Sequence, residues 1–412
     1  MPNVLPTPVI IADKMLEFLF ESSGIINDVN RDYEGEFEHT PNSIGRVVQV
    51  KNPPRFQKQN GPVISAVQST NFGLSPFAVD QWATVPIKLT GLEKTFNNAK
   101  ELDMWAEKNI KPIVAPLVAD IEQNIFALYY KVSNFVGTPA TGPTTIDPIA
   151  QAMEKLNFFE TPQDERVCYL NPTGARKFLG GTVVFSNAGG AFNPQQELGK
   201  MFTSGRILPS VSGFDMRSSN KIASHTVGAT PATTAQVNGV DIVGSSVAFD
   251  TQSATFKKGD VITFAGVYAV NPITKQSTGF LRQFTVTADC ASTPVLISPA
   301  VIPSGAFQNV TGASGAIAGI PDNAVITTMT GSGSTAYAQN LAFWKKAIGL
   351  VTVPIAPLEG AVKFVTRTYD GISLTFTTGG DIMNFETIKR VDLAYGVDIF
   401  QGYQDQVVRI TN

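Results

Sequence analysis

Apolar residues recur with the period of a helix in only one long stretch of this chain. From Pro112 onward Val114, Val118, Ile121, Ile125, Leu128, Val132 and Phe135 follow one another at spacings of four and three, which places them on one seam of an α-helix. Asp120, Glu122, Gln123, Asn124 and Lys131 lie between them and make the opposite face wet. Pro112 and Pro116 interrupt the run. An interior proline removes a backbone hydrogen bond and collides with the preceding turn, so the expectation is a leading helical stretch over Asn97–Ile110 and a main helix that starts near Pro112, where a first-turn proline is tolerated.

Other patterns are shorter. Val9–Ser22 reads as an amphipathic helix with Ile11, Met15, Leu16 and Leu19 on one side, preceded by an extended lead-in set by Pro2, Pro6 and Pro8. Arg46–Val50 and Trp82–Leu89 read as strands. The connection between them, Arg55–Asp80, is far longer than a hairpin turn and carries the exposed-looking Phe56, Phe72 and Phe77, so it is expected to project and lean on a neighbour. Asp147 with Pro148, Asn171 with Pro172, and Asn193 with Pro194 each open a short helix, with a strand at Arg166–Leu170. Toward the end, Leu350–Ile355 reads as a strand, and Val362–Thr368 and Ile372–Thr377 flank Asp370–Gly371 as a hairpin with a type I′ turn. Phe385–Ala394 is read as part helix and Val407–Ile410 as a closing strand.

Between Thr226 and Ala338 the composition shifts to Thr, Ser, Ala, Gly and Val with few charges, and short β-type runs (Val261–Ala265, Gln283–Thr287, Val295–Ile297, Val325–Met329) alternate with turn residues. This predicts an all-β domain inserted into a domain whose character resumes beyond Asn340.

Charge and chemistry narrow the function. The 412 residues carry a net charge of −3 with 16% charged residues, and the densest basic cluster is Lys51, Arg55 and Lys58, too small to grip a nucleic-acid backbone. Two cysteines, Cys168 and Cys290, and two histidines, His39 and His225, provide no close-spaced pairs for a zinc site. Both histidines fall in segments read as loops or linkers and are expected to be exposed. No phosphate loop, nucleophile elbow, H-E-x-x-H or G-x-G-x-x-G occurs, so no enzymatic activity, cofactor or metal is assigned. The N-terminal apolar run lacks a basic n-region and no window has the length of a membrane helix, so neither a secretory signal nor a membrane anchor is expected.

Four passages, in order, carry a resemblance: Tyr169–Phe178 (YLNPTGARKF), Gly205–Asn220 (GRILPSVSGFDMRSSN), Phe256–Val267 (FKKGDVITFAGV) and Asn340–Ile355 (NLAFWKKAIGLVTVPI), with Ala394–Val397 (AYGV) beyond them. Together they resemble the coat proteins of short-tailed Salmonella-type bacteriophages, which have the Hong Kong 97-type capsid fold. The resemblance implies an α+β fold with an N-terminal arm (1–40), an E-loop with flanking strands (41–90), a spine helix of a peripheral domain (91–136), an axial domain (137–225), an inserted all-β, barrel-like domain (226–338) and the remainder of the axial and peripheral domains (339–412). It implies a major capsid protein that self-assembles as pentamers and hexamers into an icosahedral shell around double-stranded DNA, held without sequence-specific binding. Scaffolding and portal proteins are the implied partners, and the virion, assembled in the host bacterial cytoplasm, is the implied location. Arg55, Phe56, Lys58, Phe72 and Phe77 of the E-loop and Ile11, Met15 and Leu19 of the arm are then candidate intersubunit contacts. Val114, Val118, Ile121, Ile125, Leu128 and Val132 form the core seam of the spine. The alternatives are a nanocompartment shell protein of the same fold, or a carbohydrate-binding or adhesin protein that works through the β domain.

Overall fold

In a computed structural model, residues 8–22, 24–31, 47–56, 74–90, 99–178, 210–230, 235–250, 255–313, 315–358, 361–381, 383 and 386–411 are described. The helix expected to open at Asn193 and Pro194, and the residues His39, Lys58 and Phe72, lie outside them. The chain divides into two compact units: Met1–Val50 with Leu74–Ile125 and Ile348–Phe400, and Lys51–Gly73 with Phe126–Ala347 and Gln401–Asn412.

The first unit is built on a five-stranded antiparallel sheet of β3 (Gln81–Thr90), β16 (Ile348–Val353), β17 (Lys363–Tyr369), β18 (Ile372–Asp381) and β19 (Glu386–Ile399). The β17–β18 hairpin turns at Asp370 and Gly371, both with positive φ (45° and 88°), as a type I′ turn requires. Of Phe385–Ala394, read as part helix, the described residues Glu386–Ala394 are instead part of β19. It pairs with β18 at Asp381↔Glu386 through Thr375↔Asp392, and with β3 at Glu386↔Thr90 through Tyr395↔Gln81. Over Glu386–Asp392 the strand has a partner on both edges, and these ladders supply the backbone hydrogen bonds a helix would otherwise make. Within β19, Gly396 passes so close to the chain at Ala78 that an added Cβ would lie 2.2 Å from the Ala78 carbonyl oxygen.

Helix α1 (Pro8–Ser22) lies on β17 and β18 and buries Ala12, Met15, Leu16 and Leu19 there. At its end the Phe20 ring meets Tyr369 edge-on at 5.6 Å, while Arg31 pairs with Asp370 at 3.0 Å. The sticky face expected of a free arm is thus used inside the chain. β1 (Val47–Lys51) pairs with β2 (Leu74–Ala78), and β3 pairs with β19, so the two strands expected to flank the long connection do not pair with each other.

Helix α2 (Ala99–Ala127) is one helix, with Pro112 and Pro116 inside it, in place of the two expected. Each proline costs about 3 kcal/mol in a helix interior. Burial of Ile110, Ile113, Val114, Leu117, Val118, Ile121 and Ile125 on either side of them offsets that cost by about 1.5–3 kcal/mol per side chain. The α-helix stops at Ala127. Leu128 lies in a 3₁₀ turn (Leu128–Lys131), and Phe135 in β4 (Asn134–Val136), with Val132 between them. Leu128, Val132 and Phe135 are buried, but not on the α-helix.

In the second unit the order β4, β20 (Val407–Thr411), β15 (Ala336–Trp344), β5 (Arg166–Leu170), β7 (Phe214–Ser218), β6 (Ser210–Val211) forms a mixed sheet, with β4–β20 and β5–β7 parallel. Helix α3 (Asp147–Phe158) covers it through Ile149, Ala152 and Leu156, which pack in one cluster with Cys168, Leu170, Ala342, Val408 and Ile410. Burial pushes the Cys168 thiol up to about 12, so it behaves as a small hydrophobe. The turn of helix over 172–178 opens as expected, with Asn171 Oδ1 accepting from the Gly174 N–H at 2.7 Å.

β8 (Ser224–Thr226) pairs with the start of β15 at Thr226↔Ala336 and Ser224↔Ala338, so the chain leaves the mixed sheet and returns to it at adjacent points. Between them lies a second sheet: β9 (Gly244–Val247), β10 (Val261–Val270), β11 (Ser277–Val286), β12 (Val295–Val301), β13 (Val310–Thr311) and β14 (Ile326–Thr328). Bridges Val237↔Phe249 and Gln236↔Val325 join its two ends, which closes a barrel around Phe249, Phe256, Ile262, Phe264, Phe284, Val286 and Val295.

Candidate functional site: a buried polar seam and the exposed surfaces

Within the second unit the barrel meets the mixed sheet and the chain after α2 through polar side chains. Asp260, 1% exposed, sits just before β10. Its Oδ1 accepts from His225 Nε2 at 2.8 Å and Thr330 Oγ1 at 3.0 Å, and its Oδ2 accepts from the backbone N–H of Lys257 at 2.7 Å and of Gly228 at 3.2 Å. Four acceptor positions are thereby filled, the full capacity of a carboxylate. A carboxylate only accepts, so His225 Nε2 carries the proton. Its Nδ1 lies 3.4 Å from the Tyr129 hydroxyl. His225, expected to be exposed, is 2% exposed. It sits in β8, where a two-residue alternation turns it inward between exposed Ser224 and Thr226.

Arg409 of β20 is fully buried beside this group. Its Nη1 donates to Gly259 O at 2.8 Å and its Nη2 to Thr285 Oγ1 at 3.3 Å, with Tyr129 and Phe135 rings 5.8 and 5.9 Å from the guanidinium carbon. Burial holds its pKa down, to about 9. The Tyr129, His225 and Asp260 series has the residue types of a proton relay, but His225 and Asp260 are enclosed. Its observable work is to fasten the strand leading into the barrel to the strand that closes the mixed sheet.

A second group lies along β11. Gln283 forms two bonds with Phe135 of β4, accepting from its N–H at 2.7 Å and donating to its carbonyl at 3.0 Å, in place of a strand partner. Lys155 of α3 donates to the same Phe135 carbonyl at 2.7 Å and to Gln283 Oε1 at 2.5 Å. Arg282 Nη2 pairs with Asp405 Oδ1 at 2.6 Å, and Asn271 Nδ2 donates to Phe158 O at 3.1 Å and Glu160 Oε1 at 2.8 Å. Sequence patterning had no means of finding this seam. Its members are scattered from Tyr129 to Arg409, on strands, a helix, 3₁₀ turns and connections.

Burial, with Arg282 nearby as the second cause, lowers Lys155 to about 7 from the usual 10.5. Below pH 7 both the folded and the unfolded chain hold this proton, and the folded state bears the whole cost of burying it. Between about 7 and 10.5 only the unfolded chain holds it, so the lysine's penalty fades as pH rises. In Lys155→Met, Phe135 and Gln283 keep their mutual bonds, so no acceptor is orphaned. The variant is expected to match or exceed wild-type stability at pH 6, by up to about 3 kcal/mol, with the advantage shrinking toward pH 10. Urea unfolding of both proteins across that range tests this; a Met variant less stable at pH 6 than at pH 10 relative to wild type would contradict it.

The candidate contact residues divide. Phe56 is half exposed, and Arg55 stands over the Phe307 ring at 5.9 Å. Phe77, expected to be exposed, is buried in β2 against Phe400, with ring centroids 5.8 Å apart. The alternation of β2 directs it inward with Ser75. Met15 and Leu19 are buried and Ile11 is partly buried. Val114, Val118, Ile121 and Ile125 are core, as the periodicity requires. Beside them, the Tyr395 hydroxyl of β19 donates to Asp120 and accepts from Asn124 on α2, and burial followed by the Asp120 bond raises its pKa. Open apolar surface lies at Trp82, Leu358, Val362, Tyr369 and the 95% exposed Met383 in the first unit, and at Val240, Val243 and Ile273 in the barrel. Among the described residues, no group of His, Cys, Asp and Glu side chains has the arrangement of a metal site, and no helix is long and apolar enough to cross a membrane.

The architecture is a strand-rich α+β chain with a barrel set into it. Residues 78–403 match the family described as P22 coat protein, gene protein 5, and the chain belongs to that family. It is a tailed-phage major capsid protein, a structural component of the virion shell, and its subunits associate into homo-oligomeric capsomers. No curated protein matches the sequence. Similar solved structures include one titled Mycobacterium phage Che8 (12% identity, 94% of this chain and 90% of that one, TM-score 0.47) and the capsid structure of the Cyanophage P-SCSP1u (11% identity, 89% and 84%, TM-score 0.42). The CUS-3 coat protein I-domain is 25% identical over 25% of this chain and 97% of its own, with a TM-score of 0.18.

Proposed function

We propose that the subunit builds an icosahedral shell of pentamers and hexamers around double-stranded DNA, with the N-terminal arm (1–40) and the E-loop (41–90) reaching adjacent subunits. In this proposal the spine (91–136) stiffens a peripheral domain, 137–225 with part of 339–412 forms the axial domain, and 226–338 is the inserted barrel. The carrying observation is the family match over residues 78–403, and the exposed apolar side chains on both units fit a subunit whose contacts are completed by its neighbours. Many modest contacts add up around closed rings. Scaffolding and portal proteins are the proposed assembly partners. A net charge of −3 suits a container that encloses DNA without gripping it. Of the outer arm, the expected contact narrows to the residues preceding α1, because the apolar face of α1 is already occupied. Of the E-loop, it narrows to Phe56 and the segment 57–73, because Phe77 is core.

Negative-stain electron microscopy of the purified full-length chain, alone and with a scaffolding protein, is the deciding experiment. Closed particles of uniform size are expected. A monodisperse monomer or small oligomer under both conditions, with binding on a glycan array, would move the assignment to the adhesin alternative.

A further inference from the structure

Three elements of the second unit, α3, β4 and β11, meet at the amine end of Lys155, and none of them brings it an anion. The stem of Lys155 is partly exposed, but Nζ is turned onto two acceptors from buried residues, the Phe135 carbonyl at 2.7 Å and Gln283 Oε1 at 2.5 Å. Both acceptors are neutral. The space beside them is walled by Phe158, Phe159, Phe280 and Leu281. Of the charged groups on the surrounding elements, Arg282 of β11 is a second cation, and its Nη2 holds Asp405, in the 3₁₀ turn Gln401–Gln406, at 2.6 Å. Arg409 of β20 is turned to Gly259 O and Thr285 Oγ1. Glu160, beyond α3, accepts from Asn271, and Glu154, the chain neighbour of Lys155, is exposed. β4 and β10 carry no charged residue.

The hydrogen count suits an amine better than an ammonium. A neutral amine has two N–H groups for the two acceptors, whereas an ammonium has a third, for which no described residue supplies an acceptor. Protonation also sets a second positive charge near Arg282, and burial first, then Arg282, hold the pKa down to about 7. We propose that Lys155 is a proton-operated tie between the mixed sheet and the barrel: uncharged, it closes the β4–β11 contact, and on taking up a proton it loosens that contact so that the ammonium reaches water. The opening is local, because β4 keeps its pairing with β20 and β11 its pairing with β10. An opened Lys155 holds its proton up to about pH 10.5 and a closed one up to about 7, so opening takes up a proton between those values. Within that window opening becomes about tenfold more frequent for each unit by which the pH falls, and below it opening is level. The tie works within one chain, whether or not shells form.

Hydrogen exchange of the unassembled full-length protein at pH 7, 8 and 9, corrected for intrinsic rates, tests this. The reporter is the Phe135 amide, which donates to Gln283 Oε1. Its protection is expected to fall about tenfold per unit as the pH is lowered. Lys155→Met should abolish that dependence; a lysine with a structural role alone would change the level of protection and not its slope. Wild-type protection that is level with pH, or a slope retained in Lys155→Met, overturns the proposal. A second measurement decides if the Met variant does not fold. In Lys275→Met, which removes the other described lysine held low, at about 8, one ε-carbon signal of lysine-selective ¹³C labelling is expected to titrate near neutral pH. Lysine signals that all titrate above about pH 10, the ordinary range, overturn the tie.

Discussion

Replacing Asp260 by Ala is expected to cost about 3–5 kcal/mol, the range for stripping a buried charged group from its partners. The substitution orphans four donors at once: His225 Nε2, Thr330 Oγ1 and the backbone N–H groups of Lys257 and Gly228. His225, Thr330 and Gly228 are buried with the carboxylate, so water does not readily replace it there. It also removes the negative charge nearest to fully buried Arg409, whose remaining ties are Gly259 O and Thr285 Oγ1. Asp260→Asn keeps one oxygen and the side-chain volume, and should lose less, about 1–3 kcal/mol. Hydrogen exchange localises the effect: amides of β10, β11 and β20 should lose protection, while those of β17, β18 and β19 keep it. An Asp260→Ala protein with wild-type exchange in β10 and β20 would show that the four bonds contribute nothing.

The second large effect concerns assembly. Deleting residues 57–73 and joining the ends with a short Gly-Ser linker is expected to leave a folded subunit and abolish closed particles. The boundaries follow from the structure. A deletion reaching Asp80 would remove β2, including Phe77 and its contact with Phe400, and would destabilise the first unit for reasons unrelated to assembly. With 57–73 alone removed, β1, β2 and the 5.8 Å Phe77–Phe400 pair remain. The circular dichroism spectrum and urea midpoint should stay close to wild type while electron micrographs show no shells. Normal shells from the deleted protein would end the E-loop's proposed role.

Helices with a wet and a dry face could be read from the sequence because their burial is local. α1 and the seam Val114–Ile125 follow from side-chain spacing, and α3 from the Asp147–Pro148 start signal, whatever covers them. The same holds for the Asp370–Gly371 hairpin, where two consecutive positive φ angles need the residues that occupy them. β19 could not be read this way. Its identity as a strand depends on β3 and β18, which lie about 300 residues before it and just before it in the chain. Phe56 and Phe77 look alike in sequence, yet one is half exposed and the other buried, because only the pairing of β2 sets which side faces the core.

The family could likewise be read from sequence, because four short passages in order are a one-dimensional signal, and the change in composition at Thr226 marks the insertion for the same reason. Which polar residues hold the barrel in place was decided by tertiary structure alone. Asp260, His225 and Arg409, or Lys155, Gln283 and Phe135, become neighbours only when strands far apart in the chain are brought together. A buried polar group has no characteristic spacing; what makes it tolerable is a partner, and a partner is a property of three dimensions.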